Sequence, residues 1–217
     1  QKEPIIRYTQ ILRAFDATSQ LALSDLSAYG YPASQLDNFP AGQTRYRYGA
    51  TPTPLRQSPL RPPTVFNWFL PDYEPGGDIS AAGLYAPEMI QTTETQVISV
   101  LNYFNTITRA NAGQGVNALV GQSDPNLDNI LIDKSGLQAL YNAEISGGAT
   151  VPQAVTTLID HLDMLLMAGN FKATYENAAT PNPRSLIIDA IVTQGNGNKI
   201  RDALYIMSTT PEYIHQK

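Results

Sequence analysis

Three carboxylates, Asp72, Glu74 and Glu88, lie in or beside a segment that also carries Trp68 and Tyr73. Two carboxylates beside aromatic rings could form an acid/base pair acting on a sugar, provided the fold holds them at the working separation. Pro71-Asp72 and Pro87-Glu88 also read as turn and helix-start chemistry, where a carboxylate accepts from free backbone N–H groups and favours the helix dipole. This plainer reading is preferred. Arg61, between Leu60 and Pro62, suits a ligand clamp or, more simply, an internal pair with a nearby carboxylate. The candidate binding set is therefore Arg61, Trp68, Asp72, Tyr73 and Glu88, and no catalytic set is complete.

Other chemistries are struck out by residue type or spacing. The chain has no Cys, which removes disulfides, thiolate nucleophiles, iron–sulfur clusters and sulfur-ligated zinc. With only His161 and His215, a three-His zinc site within one chain is impossible. Asp124, Asn126 and Asp128 have the spacing of the first half of a calcium loop, but Asn129 replaces the glycine and Ser135 the glutamate that would complete it. An Asx-turn loop is preferred there, with a cation site completed from elsewhere as the alternative. No metal site is assigned. No cofactor is assigned either, because Gly113-Gln-Gly115 and Gly195-Asn-Gly197 lack the third glycine and the preceding strand of a dinucleotide loop. No Gly-x-Ser-x-Gly elbow is present. His161 falls off the apolar stripe of its helix and is expected on the solvated face, and His215 is expected to be exposed.

The 217 residues, 42% of them apolar, are enough for a real core: at this mass about 70% of the unfolded chain's surface is buried. Charged residues are only 15%, whereas Asn, Gln, Ser and Thr together number 59, so solubility rests on uncharged polar groups. That surface is unusual for a cytosolic enzyme. A net charge of −5 and only 5 Lys argue against nucleic acid, whose phosphates are held by clustered Lys and Arg. The densest basic cluster, Arg45-Tyr46-Arg47-Tyr48, is too small to reverse this and reads as a turn with its rings packed inward. No apolar run is long enough to span a membrane. The chain opens on Gln1 without a signal sequence, so a processed protein or a fragment of a longer one is expected.

The elements that must position these residues are helices. Ile5, Tyr8, Leu12 and Phe15 recur at helical spacing behind Pro4 and predict a helix over about 4–17. Ile90, Val97, Leu101, Phe104 and Ile107 predict a long one from Pro87 to Asn111. A Gly- and Asn-rich loop over 113–129 and a short helix over 137–143 follow. Thr150 and Gln153 make a capping-box pattern ahead of Val155, Leu158, Ile159, Leu162, Leu165 and Leu166, with Gly169 closing that helix. Asn182-Pro183 starts another that Gly195 stops, and Ile200, Leu204 and Met207 pattern one more. No strand of useful length is expected. Between Pro32 and Pro87 lie 10 of the 16 prolines, too many for a long helix or a central strand. Yet Val65, Phe66, Trp68 and Phe69 fall inside and are expected to be buried, so the segment reads as an ordered wrap over the body. The expected architecture is a single all-α domain of five to seven helices, bundle-like, with the wrap over 32–87 laid across it.

The run from Pro59 to Gly77, with Leu84-Tyr-Ala-Pro-Glu-Met89 after it, resembles the C-terminal part of a large bacterial family known as domain of unknown function 1800. Glu3-Pro-Ile-Ile-Arg-Tyr-Thr-Gln-Ile-Leu-Arg13 and Leu204-Tyr-Ile-Met-Ser-Thr-Thr-Pro-Glu-Tyr-Ile-His-Gln216 are similar to it as well, so the resemblance spans nearly the whole chain. Departures are Trp68 where the family usually shows Phe, Gly76 where a second Pro is common, and Thr210 where Ser is usual. The resemblance implies an exported, mostly helical bacterial protein, periplasmic or extracellular, with no established activity and a helical N-terminal half that is absent here.

Two function classes stand open. The favoured one is a non-catalytic binding or scaffold module holding a partner through the Pro-rich, Tyr-bearing surface. The alternative is part of a hydrolase of extracellular polymer, with the carboxylates near the aromatic motif on one wall of its cleft. The expected partner is another protein or the N-terminal half of the same one. Helix 4–17 carries Ile5, Ile6, Ile11, Leu12 and Phe15, more apolar surface than a lone terminal helix shows. It is expected to dock beside the long helix from Pro87 and to leave apolar surface near the termini, which pairing with a second copy would also cover.

Overall fold

The computed structural model describes residues 2–19, 65, 69–92, 94–109, 116–117, 129–179, 181–193 and 198–215. Most of the expected wrap over 32–87 lies outside them, as do Arg45 to Tyr48, Arg61, Phe66, Trp68, Asp124, Asn126 and Asp128. Among the described residues nine α-helices follow one another: α1 Pro4–Ala14, α2 Gly77–Ala81, α3 Glu94–Arg109, α4 Ser135–Ser146, α5 Val151–Met167, α6 Asn170–Tyr175, α7 Pro183–Thr193, α8 Lys199–Met207 and α9 Pro211–Ile214. A 3₁₀ turn spans Pro87–Gln91. The fold is all-α and bundle-like. Six of the helices have nine residues or more, and α2, α6 and α9 are short ones that periodicity does not reveal.

Helix α5 is the axis of the bundle, packed by α1, α4, α6, α7, α8 and α9. Its apolar positions bury Ala154, Val155, Leu158, Ile159, Leu162, Leu166 and Met167. At its start Gln153 Oε1 accepts from the Thr150 backbone N–H at 2.8 Å, the return arm of the expected capping box. At its end Ala168 and Gly169 both take the left-handed conformation, with φ of 53° and 81°. A Cβ on Gly169 would also lie 3.1 Å from Met164 Sδ. Gly169→Ala is therefore expected to cost about 1 to 2 kcal/mol, read as a lower urea midpoint at unchanged slope.

Other elements end where side chains supply what the backbone lacks. Asn182 Oδ1 accepts from the Arg184 N–H at 2.9 Å and starts α7 as its sequence suggests. Lys199 Nζ donates to the carbonyls of Ile191 and Val192 at 2.7 and 2.9 Å and so completes the end of α7. Lys134 Nζ donates to Thr108 O at 3.0 Å and does the same for α3. The long helix expected from Pro87 is divided at Thr92, whose hydroxyl donates back to Met89 O at 2.6 Å and leaves the 3₁₀ turn as a separate piece. Helix α1 stops three residues earlier than expected, with Phe15 as its cap and Asp16 at φ 41°.

No strand of useful length is present among the described residues, but three very short ones pair. Thr18–Ser19 (β1), Val116–Asn117 (β2) and Asn129–Leu131 (β3) form a three-stranded antiparallel sheet in the order β1-β3-β2, with Thr18 opposite Leu131 and Val116 opposite Ile130. Strands of two or three residues are too short for a period of two to appear in the sequence. The Asp133 N–H donates to Phe15 O at 2.7 Å, extending this tie between the end of α1 and the start of α4.

Helix α1 docks chiefly on α5 and meets α3 through rings. Tyr8, Tyr103, Phe104 and Tyr213 form a run of tilted and edge-on aromatic pairs with centroids 5.4 to 6.5 Å apart, joining α1, α3 and α9. Tyr213 is fully buried and its hydroxyl donates to Arg7 O. Burial pushes its phenol well above the usual tyrosine range, against the pull of the Arg7 charge.

On another side Asp160 joins three helices, accepting from Arg184 at 2.5 Å and from Lys172 at 2.8 Å. Burial acts to raise the Asp160 carboxyl, but the bonds and charges of Lys172 and Arg184 outweigh it and hold the carboxyl below its ordinary value. A carboxylate whose folded pKa is depressed stabilises fully above its unfolded value, about 3.9, and that contribution disappears as pH falls through the folded value. Denaturation midpoints measured from pH 5 downward should therefore fall less steeply in Asp160→Asn than in the unaltered chain. Parallel acid limbs would show that the bridge contributes nothing.

Candidate binding groove

The residues singled out by sequence are only in part within the described structure. Asp72 sits in a turn closed by the Tyr73 N–H donating to Leu70 O at 3.1 Å, and it is exposed. Tyr73 is half-buried, and its carbonyl accepts from the Ala86 N–H at 2.9 Å. This bond draws Tyr73 beside the segment leading to Glu88, so the two sides of one loop approach. Glu88 is exposed in the first turn of the 3₁₀ segment. Glu74, also exposed, accepts from Ser80 Oγ at 3.0 Å. His161 and His215 are exposed, as their positions suggest. Of the apolar residues expected to be buried in the wrap, Phe69 is half-buried, whereas Val65 is 95% exposed, a correction to that expectation.

A second place draws together residues that periodicity alone does not connect. The start of α1, the end of α5 and helix α9 enclose an open groove of about 530 Å³. Leu166 and Met167 lie on its buried side, and Ile6, Met164 and Leu165 line it at 49%, 66% and 42% exposure. Leu165, expected on the buried stripe of α5, lies beyond the width that the neighbouring helices cover. The leftover apolar surface expected near the termini is here.

Polar groups also line the groove or pack beside it. Gln10 Nε2 donates to Leu166 O at 2.8 Å, satisfying a carbonyl at the end of α5. Gln10 Oε1 in turn accepts from Lys2 Nζ at 3.1 Å. The Lys2 ammonium lies 4.6 Å from the centroid of the Tyr213 ring, a cation–π contact. Burial, and secondly the Arg7 charge, lower its pKa. The Lys2 N–H donates to Ile214 O at 2.8 Å, binding the segment before α1 to α9. From the other side Tyr175 Oη donates to Glu212 Oε1 at 2.5 Å, and Glu212 Oε2 is buried without a hydrogen-bond partner. His215 Nδ1 lies 3.0 Å from Pro211 O.

No known family, characterised protein or solved structure matches this chain. Its chemistry has to be read from its own residues. Among the described residues no group of three or more His, Asp or Glu could hold a metal ion, and no helix is long and apolar enough to cross a membrane. The groove has apolar walls that include two thioethers, a lining able to adapt to varied shapes, with a few polar groups among them. Lys2, Gln10, Met164 and Glu212 escape a sequence reading because they come from three stretches brought together by tertiary contacts. Ile6, too apolar for a solvated helix face, is the one signal pointing there.

Proposed function

We propose that the chain is a non-catalytic binding module of an exported bacterial protein, akin to the C-terminal part of the domain of unknown function 1800 family. The observation that carries this reading is the groove at α1, α5 and α9, where Ile6, Met164 and Leu165 stand open to solvent beside Lys2 and Glu212. Apolar side chains so exposed within a concavity are what a partner or ligand covers. A surface rich in uncharged polar residues accords with a place in the periplasm or outside the cell. The hydrolase alternative draws on Asp72 and Glu88, and both are exposed on a loop rather than set in a cleft of described residues.

The test is a photo-reactive side chain placed at Met164 and, separately, at His161, which is exposed on the same helix but outside the groove. In cells making the complete protein, position 164 should give a specific adduct that position 161 does not. Equal labelling at both positions would overturn the module reading.

A further inference from the structure

We infer that Met164 is a site of reversible oxidation that regulates the groove, its thioether admitting apolar matter and its sulfoxide turning it away. The inference rests on the reading of the groove as a binding site and names a regulation of that site. The chain has no Cys, so all its sulfur is in four methionines, and thioethers are oxidised according to their access to the oxidant. The structure separates the four sharply. Met164 is 66% exposed in the groove lining, whereas Met167 is 8% exposed and Met207 fully buried. Met167 Sδ also accepts from Thr210 Oγ1 at 3.7 Å, which engages the sulfur from within the fold. Met89, in the 3₁₀ segment, is half-buried.

The chemistry needs only a peroxide. Met164 Sδ attacks one oxygen of hydrogen peroxide, the O–O bond breaks as an S–O bond forms, and the second oxygen leaves as water with both protons. Sulfur loses two electrons and the peroxide gains them. A dithiol reverses the step, since breaking the S–O bond releases water and leaves the dithiol as a disulfide. Ile6, Met164 and Leu165 are the exposed apolar part of the lining, so oxidation at position 164 sets a strong hydrogen-bond acceptor among side chains that an apolar occupant has to cover. Met164 Sδ also packs so near Gly169 that a Cβ there would lie 3.1 Å from it, which leaves the added oxygen room only on the side away from that residue. An occupant covering Met164 shields its sulfur, so the oxidant acts on the empty groove.

The test has two arms. In the first, the purified chain carrying ¹³C-methyl methionine is treated with hydrogen peroxide, and the four methyl signals, which move on sulfoxide formation, are followed in time. Met164 should be oxidised roughly ten times faster than Met167 or Met207 and ahead of Met89, and the sulfoxide reductases for both epimers, supplied with dithiothreitol, should restore its signal. Oxidation of Met89 or Met167 as fast as that of Met164 would overturn the site. In the second arm the photo-reactive side chain is placed at Leu165 in cells making the complete protein, together with Met164→Gln, whose amide stands in for the sulfoxide, or with Met164→Leu, which peroxide does not oxidise. The adduct should be about tenfold weaker with Gln than with Leu, the effect of a polar group in an apolar contact, and circular dichroism checks that both variants are folded. Equal adducts in the two variants would overturn the switch and leave the module reading standing. No adduct at position 165 even with Met164 unaltered would overturn the module reading, and the switch with it.

Discussion

Asp163→Ala is expected to destabilise the fold by about 2 to 4 kcal/mol, a loss on the order of ten degrees in melting temperature for a chain of this size. Asp163 is 1% exposed within α5, and its carboxylate does the work of a cap for a different helix. Its two oxygens accept from the Phe171 and Lys172 N–H groups at 3.0 and 2.8 Å, the donors that α6 leaves without intrahelical partners. Alanine removes both acceptors from a place where water does not readily replace them. Asp163→Asn keeps one acceptor and aims an amide at the other donor, so it should cost less than alanine but more than an exposed substitution. Urea denaturation of the three proteins orders them. Equal midpoints for all would mean that α6 does not depend on Asp163.

The second large effect belongs to Tyr213. Tyr213→Ala should cost about 3 to 5 kcal/mol, because it empties a fully buried site against Phe104 and removes the bond to Arg7 O. Tyr213→Phe separates the two contributions: it keeps the ring and should lose only about 1 kcal/mol, the worth of the hydroxyl's bond to a carbonyl that α1 also engages. Amide exchange localises the damage, since α1 and α9 should lose protection before α5 does. Indistinguishable exchange across all three helices in Tyr213→Ala would refute a joining role for this ring.

These two residues also mark where sequence reading succeeds and where it stops. Helix α5 is legible because everything that defines it is local: Thr150 and Gln153 at one end, Gly169 past the other, and apolar residues at helical spacing between. Helix α7 is announced by Asn182-Pro183 for the same reason. Helix α6 is not legible, because the acceptors that begin it sit in the preceding helix rather than next to it in sequence. The break at Thr92 turns on one hydroxyl choosing a backbone carbonyl, against an apolar pattern that continues across it. The three strands have too few residues to carry a pattern. Residues of the groove come from 2–10, 164–170 and 212–215, and no spacing rule links such segments. Asp72, Tyr73 and Glu88 are conspicuous in sequence for their neighbours, and in the structure they belong to a turn and a short helical start.

The bond from Tyr213 to Arg7 spans 206 positions of sequence. Helices α4 to α8, by contrast, occupy the continuous stretch from Ser135 to Met207, and α5 contacts each of the other four. That stretch can gather around α5 while loop closure is cheap, whereas the contacts of α1 with α5 and α9 close much longer loops. In an intermediate where only that stretch has gathered, Tyr8, Ile11 and Phe15, buried in the folded protein, therefore remain open. A chaperone acting on such an intermediate would find its target on this face, and the docking of α1 against α5 and Tyr213 would release it.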